Sequence, residues 1–295
     1  MNSKRKSAKP YLNSKTRQLI KDVLTEDIGR GDLTTRAIIS AQDKAIGAII
    51  VKDKGIIAGL EVAQLVFRTV NRGESIKFKT KVKDGDKVKN GQIIVEMRGP
   101  AMPILTAERT ALNFLQHLSG IATLTSKFVS AVNLYKAKIT DTRKTTPGWR
   151  ILEKYAVRKG GGLNHRMGLD DGILIKNNHH NIREGNIGQT VQLALRKAPL
   201  GMKVEVEVRN LKELKEACAT EVNIIMLDNM TIGQIKRAVE FVNHIGKKVL
   251  LEASGGITLR NVRRIAATGV DLISVGALTH SAPILNMNLK IYGAS

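Results

Sequence analysis

The sequence predicts an α/β protein in which a β-rich N-terminal segment precedes a barrel of parallel strands. Three observations lead there. From 45 to 98, apolar and polar residues alternate with the period of half-exposed strands. After 135, short apolar runs recur at 137–141, 172–176, 204–208, 222–228, 249–254 and 272–276, and the segments 187–198, 210–219, 231–245 and 257–268 have helical periodicity. Such alternation gives parallel strands joined by crossovers, and without a dinucleotide fingerprint it reads as a barrel, not an open Rossmann sheet. Only 3% of residues are aromatic, so the core is built from Ile, Val, Leu, Ala and Met, as suits parallel sheet under helices.

A length of 295 residues accommodates two domains. Residues 1–11 are basic and polar and read as a disordered tail. Residues 13–24 read as a short helix, with Leu12, Ile20 and Leu24 among polar residues. Residues 26–35 cluster Gly, Asp and Thr as a loop does, and the Arg30-Gly31-Asp32 within them is a chance match to an integrin motif. Strands are expected at 45–52 and 54–60. Ile76, Phe78, Thr80 and Val82 alternate with Lys77, Lys79, Lys81 and Lys83, giving a strand with one solvated basic face. A turn at Asp84-Gly85-Asp86 leads to a returning strand at 92–97. The stretch 82–92 resembles lipoyl and biotinyl carrier domains but lacks a recognisable hairpin for a modified lysine, so a shared sandwich architecture accounts for it. Residues 103–134 are helical in character, and Gly120 marks either a helix end or close packing.

The net charge is +22, from 48 basic and 26 acidic residues. Such an excess points to an anionic partner, either nucleic acid or a small polyanion. Cys218 is the only cysteine, which excludes an intramolecular disulfide and a cysteine-built zinc site and fits a reducing compartment. Residues 1–17 lack the apolar run of a signal peptide and no stretch is long enough to cross a bilayer, so a cytoplasmic location without membrane contact is expected.

Catalytic groups of α/β barrels sit at the C-terminal ends of the strands. Here those ends read Asp141-Thr142-Arg143-Lys144, then Lys176-Asn177-Asn178-His179, then Glu205 and Glu207 within the third strand, Asp228-Asn229, Glu252-Ala253-Ser254-Gly255-Gly256, and Ser274-Val275-Gly276. A charge where the chain leaves the core is ordinary. The sorting is not: cations crowd the early ends, carboxylates the middle ones and glycines the last two. That order suits an anionic substrate, a metal or hydroxyl-rich group, and a phosphate. Ser254-Gly255-Gly256, leading into the expected helix at 257, and Gly276 offer backbone N–H groups to the phosphate. Gly160-Gly161-Gly162-Leu163-Asn164-His165-Arg166 is too rich in glycine for a helix. It forms a loop able to approach a ligand, where His165 and Arg166 join Arg143, Lys144 and Lys176 in anion binding. The adjacent pair His179-His180 does not make a zinc site. Glu205 and Asp228 are the expected magnesium ligands, hard carboxylates acting together with substrate oxygens.

The run 141–150, followed by Lys154-Tyr155-Ala156-Val157, Gly160 to Arg166 and Ile175-Lys176-Asn177-Asn178-His179, closely resembles the quinolinate phosphoribosyltransferase family. Residues 26–35, Glu108-Arg109-Thr110-Ala111-Leu112-Asn113, Glu205, Asp228, Glu252 to Gly256 and Ser274-Val275-Gly276-Ala277 match in the family's order, over about 12–292 of this chain. The resemblance implies a type II phosphoribosyltransferase-like architecture. An N-terminal α/β sandwich of 12–112 plus 280–295 precedes an incomplete α/β barrel of 113–279. It also implies the reaction of quinolinate with phosphoribosyl pyrophosphate and magnesium, releasing pyrophosphate and carbon dioxide and leaving nicotinate mononucleotide for NAD synthesis. By the same resemblance Arg143, His165, Arg166 and Lys176 hold the two quinolinate carboxylates, Thr142 is a further substrate-binding residue, and Arg109 joins them from the neighbouring subunit of a homodimer, with higher oligomers open. Lys144, Glu205 and Asp228 are catalytic, and Ser254, Gly255 and Gly276 hold the phosphate end.

Two rival readings compete. A nucleic-acid-binding protein would use the basic surface, but no binding motif is present and aromatics for base stacking are few, so nucleic acid is not an expected partner. A phosphoribosyltransferase for a monocarboxylate such as nicotinate needs a single carboxylate clamp, whereas this site offers several cations.

Overall fold

The computed structural model describes residues 10–71, 76–183 and 186–293. They fall into two compact units, one of Met1–Leu124, Pro147–Gly160 and Ala282–Ser295, the other of Thr125–Thr146 and Gly161–Ser281. Most of the expected tail, residues 1–9, lies outside the described residues. Its last two residues are structured: Pro10–Leu12 form a turn of 3-10 helix, and Tyr11 stacks on Tyr155 at 3.8 Å while its hydroxyl donates to Glu61.

The first unit is built on a four-stranded antiparallel sheet in the order Met287–Gly293, Lys44–Val51, Ile93–Pro100, Lys77–Thr80. The C-terminal strand thus returns to the N-terminal sheet, as expected. The lysine-rich strand lies at a sheet edge with Lys77 and Lys79 exposed, where charge discourages pairing with another chain. Its Phe78 turns inward to Phe67 on the helix Leu60–Val70, with ring centroids 5.8 Å apart. That helix begins where the sequence pattern places a strand, and only Gly55–Ile56 of the segment is extended. Its N-terminus is capped from a distance: Asp84, in the predicted turn, accepts from Gly59 N–H and Leu60 N–H and from the Tyr155 hydroxyl. Residues 26–35 are less irregular than expected. The helix Ser14–Ile28, capped by Asn13, enters them, and Asp32 starts a second helix, Leu33–Ile38, by accepting from Thr35 N–H.

The helix Ala101–Ala131 runs without a break through Gly120. The boundary expected at 112/113 therefore falls inside a helix, and Arg150–Lys159, expected in the barrel, packs with the first unit. Here Trp149 stacks on Phe114, and His117 contacts both the Trp149 ring edge and the buried Glu153 carboxylate at 2.9 Å.

The second unit holds six parallel strands: β1 Lys138–Thr140, β2 Ile173–Ile175, β3 Val204–Val208, β4 Ile224–Asp228, β5 Leu250–Ser254 and β6 Leu272–Ser274. Their order is β1-β6-β5-β4-β3-β2, so the consecutive strands β1 and β2 lie at opposite ends of the sheet and do not pair. This is the incomplete barrel. Helices Ile187–Lys197, Leu211–Cys218 and Ile232–His244 form as their periodicity predicts, each with an Asn or Thr cap. The segment 257–268 does not: only Val262–Ala266 is helical.

A methyl group at Gly120 would run into the Pro283 carbonyl oxygen and Ile284 Cα. Gly120→Ala is therefore expected to destabilise the first unit by about 1–3 kcal/mol in chemical denaturation. An unchanged midpoint would mean that the helix does not meet the C-terminal segment this closely.

Candidate active site

The open side of the barrel is filled by the glycine-rich loop. Leu163 bridges to Thr140 in parallel fashion, with Leu163 N–H donating to Ile139 and Asp141 N–H to Leu163. A single residue thus takes the place that β2 would hold beside β1. Asp141, fully buried at the end of β1, fixes the loop: its Oδ1 accepts from His165 N–H at 2.9 Å and its Oδ2 from the Asn164 amide at 2.6 Å. The next residue ties the loop to the other edge, since Arg166 Nη1 donates to the Gly172 carbonyl just before β2, at 2.8 Å.

Held this way, His165 points into the barrel. Its Nε2 lies 3.0 Å from Glu205 on β3 and 3.8 Å from Glu252 on β5. Barrel interiors are layered by side chains from alternate strands, normally apolar ones. Here β1 is followed by Asp141, β3 carries Glu205 and β5 carries Glu252, so a layer of carboxyl groups lies beneath the mouth. Glu205 Oε1 and both oxygens of Glu252 are buried without a hydrogen-bond partner. The Ser274 hydroxyl lies close to Glu252 but completes no hydrogen bond with it. Burial, then the neighbouring Glu205, push the Glu252 carboxyl up to about 7, against the opposing pull of His165.

His165, Glu205 and Glu252 offer ligand atoms within 4.8 Å of one another, the geometry of a metal site. The histidine does not fit that role. Its Nδ1 already accepts from Arg166 N–H at 2.8 Å and its Nε2 faces Glu205 at 3.0 Å, so both ring nitrogens are engaged within the protein. Asp228 stands outside this group. It is half-buried at the end of β4 and accepts from the amides of Asn229 at 3.1 Å and Asn177 at 3.4 Å.

The cations stand around this layer. The Nε atoms of Arg143 and Arg166 are both buried without partners. Burial, and then the charge of Arg143, lower the Arg166 guanidinium from its ordinary value, while Glu205 and Glu207 oppose the shift. Lys176 Nζ lies 3.6 Å from Glu207, which also accepts from Asn177 N–H. Thr142 shapes the turn after β1 by accepting from Lys144 N–H. Lys144 is tied to the last strand end, where its carbonyl accepts from Thr279 at 2.7 Å and its stem passes where a Gly276 side chain would be. His280 borders the same space.

Ser254 ends β5, and Gly255 follows at φ +93°, where any side chain would also strike Asn229. The helix expected at 257 begins only at Val262, so the turn presents its N–H groups without a helix directly behind them. Arg109 is exposed on the helix Ala101–Ala131 of the first unit. The start of that helix, with Met102, Pro103 and Thr106, lines a cavity of about 1260 Å³.

Asp141, Asn164 and His280 carry site geometry that strand-end reading did not assign, and it gave Glu252 no role. Glu252 had a signal, a carboxylate directly after Val249-Leu250-Leu251 in an otherwise apolar strand. Asp141 stands at the end of its apolar run and Asn164 in the glycine-rich loop, but neither position signals its partner, since their roles exist only where the loop meets β1.

The class so defined is an α/β-barrel enzyme with a cationic mouth over buried carboxylates. Residues 32–119 match the model of the quinolinate phosphoribosyl transferase N-terminal domain and 121–290 that of its C-terminal domain. A nicotinate-nucleotide pyrophosphorylase (carboxylating) of Mycobacterium leprae is 44% identical over 278 residues, covering 93% of this chain and 96% of its own. A probable enzyme of the same name from Synechocystis is 42% identical, covering 91% and 90%. The structure of the nicotinate-nucleotide pyrophosphorylase from Francisella tularensis superposes with TM-score 0.89 at 40% identity, over 99% of this chain and 100% of that one. This chain belongs to the quinolinate phosphoribosyl transferase family. Human nicotinic acid phosphoribosyltransferase, 11% identical with TM-score 0.61, shares the fold alone. No helix among the described residues is long and apolar enough to cross a membrane.

Glu252 sets a pH dependence of stability. Below its ordinary value of 4.5 the group is protonated in folded and unfolded chains alike and contributes nothing. As pH rises through 7 the unfolded chain has lost a proton that the folded chain retains, so stability falls across this window. Glu252→Gln is expected to match wild type near about pH 4.5 and to be more stable, by on the order of 3 kcal/mol, at about pH 8. Thermal melts at the two pH values measure this, and an equal offset at both would contradict it.

Proposed function

We propose that this chain transfers phosphoribosyl from phosphoribosyl pyrophosphate to quinolinate and removes one carboxylate as carbon dioxide, giving nicotinate mononucleotide and pyrophosphate. One observation carries the assignment of the acceptor site. Two guanidinium groups, Arg143 and Arg166, lie close enough for one to depress the other, each with a buried unpaired Nε, and Lys176 shares the neighbouring Glu207 with Arg166. Like charges in this arrangement require a dianion, and two carboxylates on adjacent ring carbons supply one.

In this reading Thr142, Arg143, Arg166 and Lys176 fix the dicarboxylate so that the pyridine nitrogen faces the anomeric carbon. Lys144, with Ser254, Gly255 and Gly276, holds the phosphates of the donor. The nitrogen forms its bond to the anomeric carbon as the bond to pyrophosphate breaks. Glu205 and Asp228 stabilise the positive charge that develops on the ribose. The quaternised ring then accepts the electron pair released with carbon dioxide, and a proton replaces the lost carboxylate. Glu205, with an unpaired buried oxygen, and the half-buried Asp228 have the hard oxygen donors that suit magnesium. When bound, magnesium neutralises the pyrophosphate leaving group.

The functional unit in this reading is a homodimer with shared sites in the cytoplasm. Arg109 lies on the barrel-preceding helix whose start lines the large cavity of the first unit, and this reading assigns a second copy's barrel as its occupant. Arg109 then completes the carboxylate clamp of that second copy.

Arg166→Ala is expected to keep the circular dichroism of the wild type and lose about 2–5 kcal/mol of quinolinate binding or transition-state stabilisation. Near-normal turnover would remove Arg166 from the clamp. Sharing of sites is tested by mixing Arg109→Ala with Lys176→Ala chains, each inactive alone. Random exchange makes half the dimers mixed, each with one intact site, so activity returns to about a quarter of wild type. A mixture that stays inactive after demonstrated exchange would mean that Arg109 serves its own subunit.

A further inference from the structure

The segment 26–35 has no task in the proposed reaction, although it is one of the stretches that match in the family's order. Its hydrogen bonds within the first unit point to one. The Thr110 hydroxyl donates to Asp27 Oδ2 at 3.0 Å, and the Thr106 hydroxyl donates to Asp32 Oδ2 at 3.1 Å. Both threonines belong to the helix Ala101–Ala131 and lie one turn apart, so the two carboxylates grip one side of that helix. Arg109 stands on the same side, three residues after Thr106 and next to Thr110. The core holds the helix from the other side through the buried Ile104, Ala107, Ala111 and Leu112.

The chain presents both carboxylates because it reverses between the helices Ser14–Ile28 and Leu33–Ile38 through Gly29 and Gly31, at φ +53° and +134°. The Arg36 guanidinium fills the space that a side chain at Gly31 would need. Asp32 is itself held, since its Oδ1 accepts from Thr35 N–H at 2.9 Å. Asp32 and Thr106 also line the cavity of about 1260 Å³ that the proposed function gives to a second copy's barrel.

We propose that Asp27 and Asp32 are positioning residues for Arg109: hydrogen-bonded to Thr110 and Thr106, they fix the turn of helix that carries the guanidinium to quinolinate in the neighbouring subunit's site. This rests on the function and the shared site proposed above, and it gives the segment 26–35 its part in them. Neither carboxylate touches the substrate. Their effect passes through Arg109 to the site of the other copy.

Asp27→Ala is expected to raise KM for quinolinate about 3- to 10-fold and to leave KM for phosphoribosyl pyrophosphate unchanged. Asp27→Asn keeps an acceptor for Thr110 and is expected to recover most of the loss. The distinguishing readout is a mixed dimer of Asp27→Ala with Lys176→Ala, purified by two affinity tags. Its one working site takes Arg109 from the Lys176→Ala chain, whose Asp27 is intact, so KM returns to the wild-type value. An unchanged KM in Asp27→Ala, or no recovery with Asn, would overturn the proposal. So would a KM that stays raised in the mixed dimer while Arg109→Ala and Lys176→Ala chains still complement each other. Failure of that complementation as well would defeat the shared site instead. Melting tests the clip without turnover. Asp27→Ala and Thr110→Val are each expected to lower Tm, and the double variant to lower it no further than the larger single loss. Additive losses would overturn the clip. If the wild type does not turn over quinolinate, the functional reading fails, while the melts still decide whether the carboxylate holds the helix.

Discussion

The buried carboxylate of Asp141 holds the barrel together where it is open. The sheet ends at β1 on one side and β2 on the other, and among the described residues the one backbone partner that β1 finds on its free edge is Leu163. An unpaired strand edge in the interior leaves polar backbone groups to be satisfied, and a glycine-rich loop can satisfy them only if it is pinned. Asp141 does this with two short hydrogen bonds, to His165 N–H and to Asn164. Everything functional on the loop follows from that attachment. His165 reaches Glu205 because its backbone is anchored, and Arg166 reaches back to Gly172, so the loop joins both edges of the sheet. The defect that leaves the barrel incomplete is also where the site is assembled.

The layer below is arranged against stability. Three carboxyl groups and an imidazole occupy positions that most barrels fill with Val, Ile or Leu, and three of the carboxylate oxygens are buried without partners. Around them stand Arg143 and Arg166, each with a buried Nε that has no hydrogen-bond partner. Neither arrangement favours the empty fold, and in the proposed reading both are relieved when ligand charges of opposite sign enter: a dicarboxylate among the cations, and a sugar carrying positive charge against the carboxylates. The first unit is built differently, with apolar sheet packing, a remote Asp84 cap and an aromatic contact at Trp149, and Arg109 lies exposed on its long helix.

Much of this could be read from local pattern. Strand β3 was legible to the residue, and the other five strands fell within the predicted runs, because β-periodicity and burial are local signals. The positions of the strand-end charges were legible for the same reason: Arg143, Lys176 and Asp228 stand where apolar runs meet charge, and Glu205 stands within one. What failed depended on distance in the chain. The helix Leu60–Val70 is capped by a residue 24 positions away, and its apolar start looked like strand. The turn after Ser254 was read as entering a helix because its glycines fit that motif, although the chain makes a further turn before Val262. The use of Leu163 as a substitute strand, and of Asp141 as its anchor, comes from the meeting of two segments, and neither segment alone signals it.

The central claim is that the guanidinium groups of Arg143 and Arg166, each with a buried Nε lacking a partner, are arranged for a dianion and not for any pyridine carboxylate. Calorimetric titration of the protein with quinolinate and with nicotinate tests this most directly. The site predicts that quinolinate binds about 100-fold or more tightly than nicotinate, because the smaller acid leaves a buried cation without a partner. Equal affinity for the two acids would contradict it.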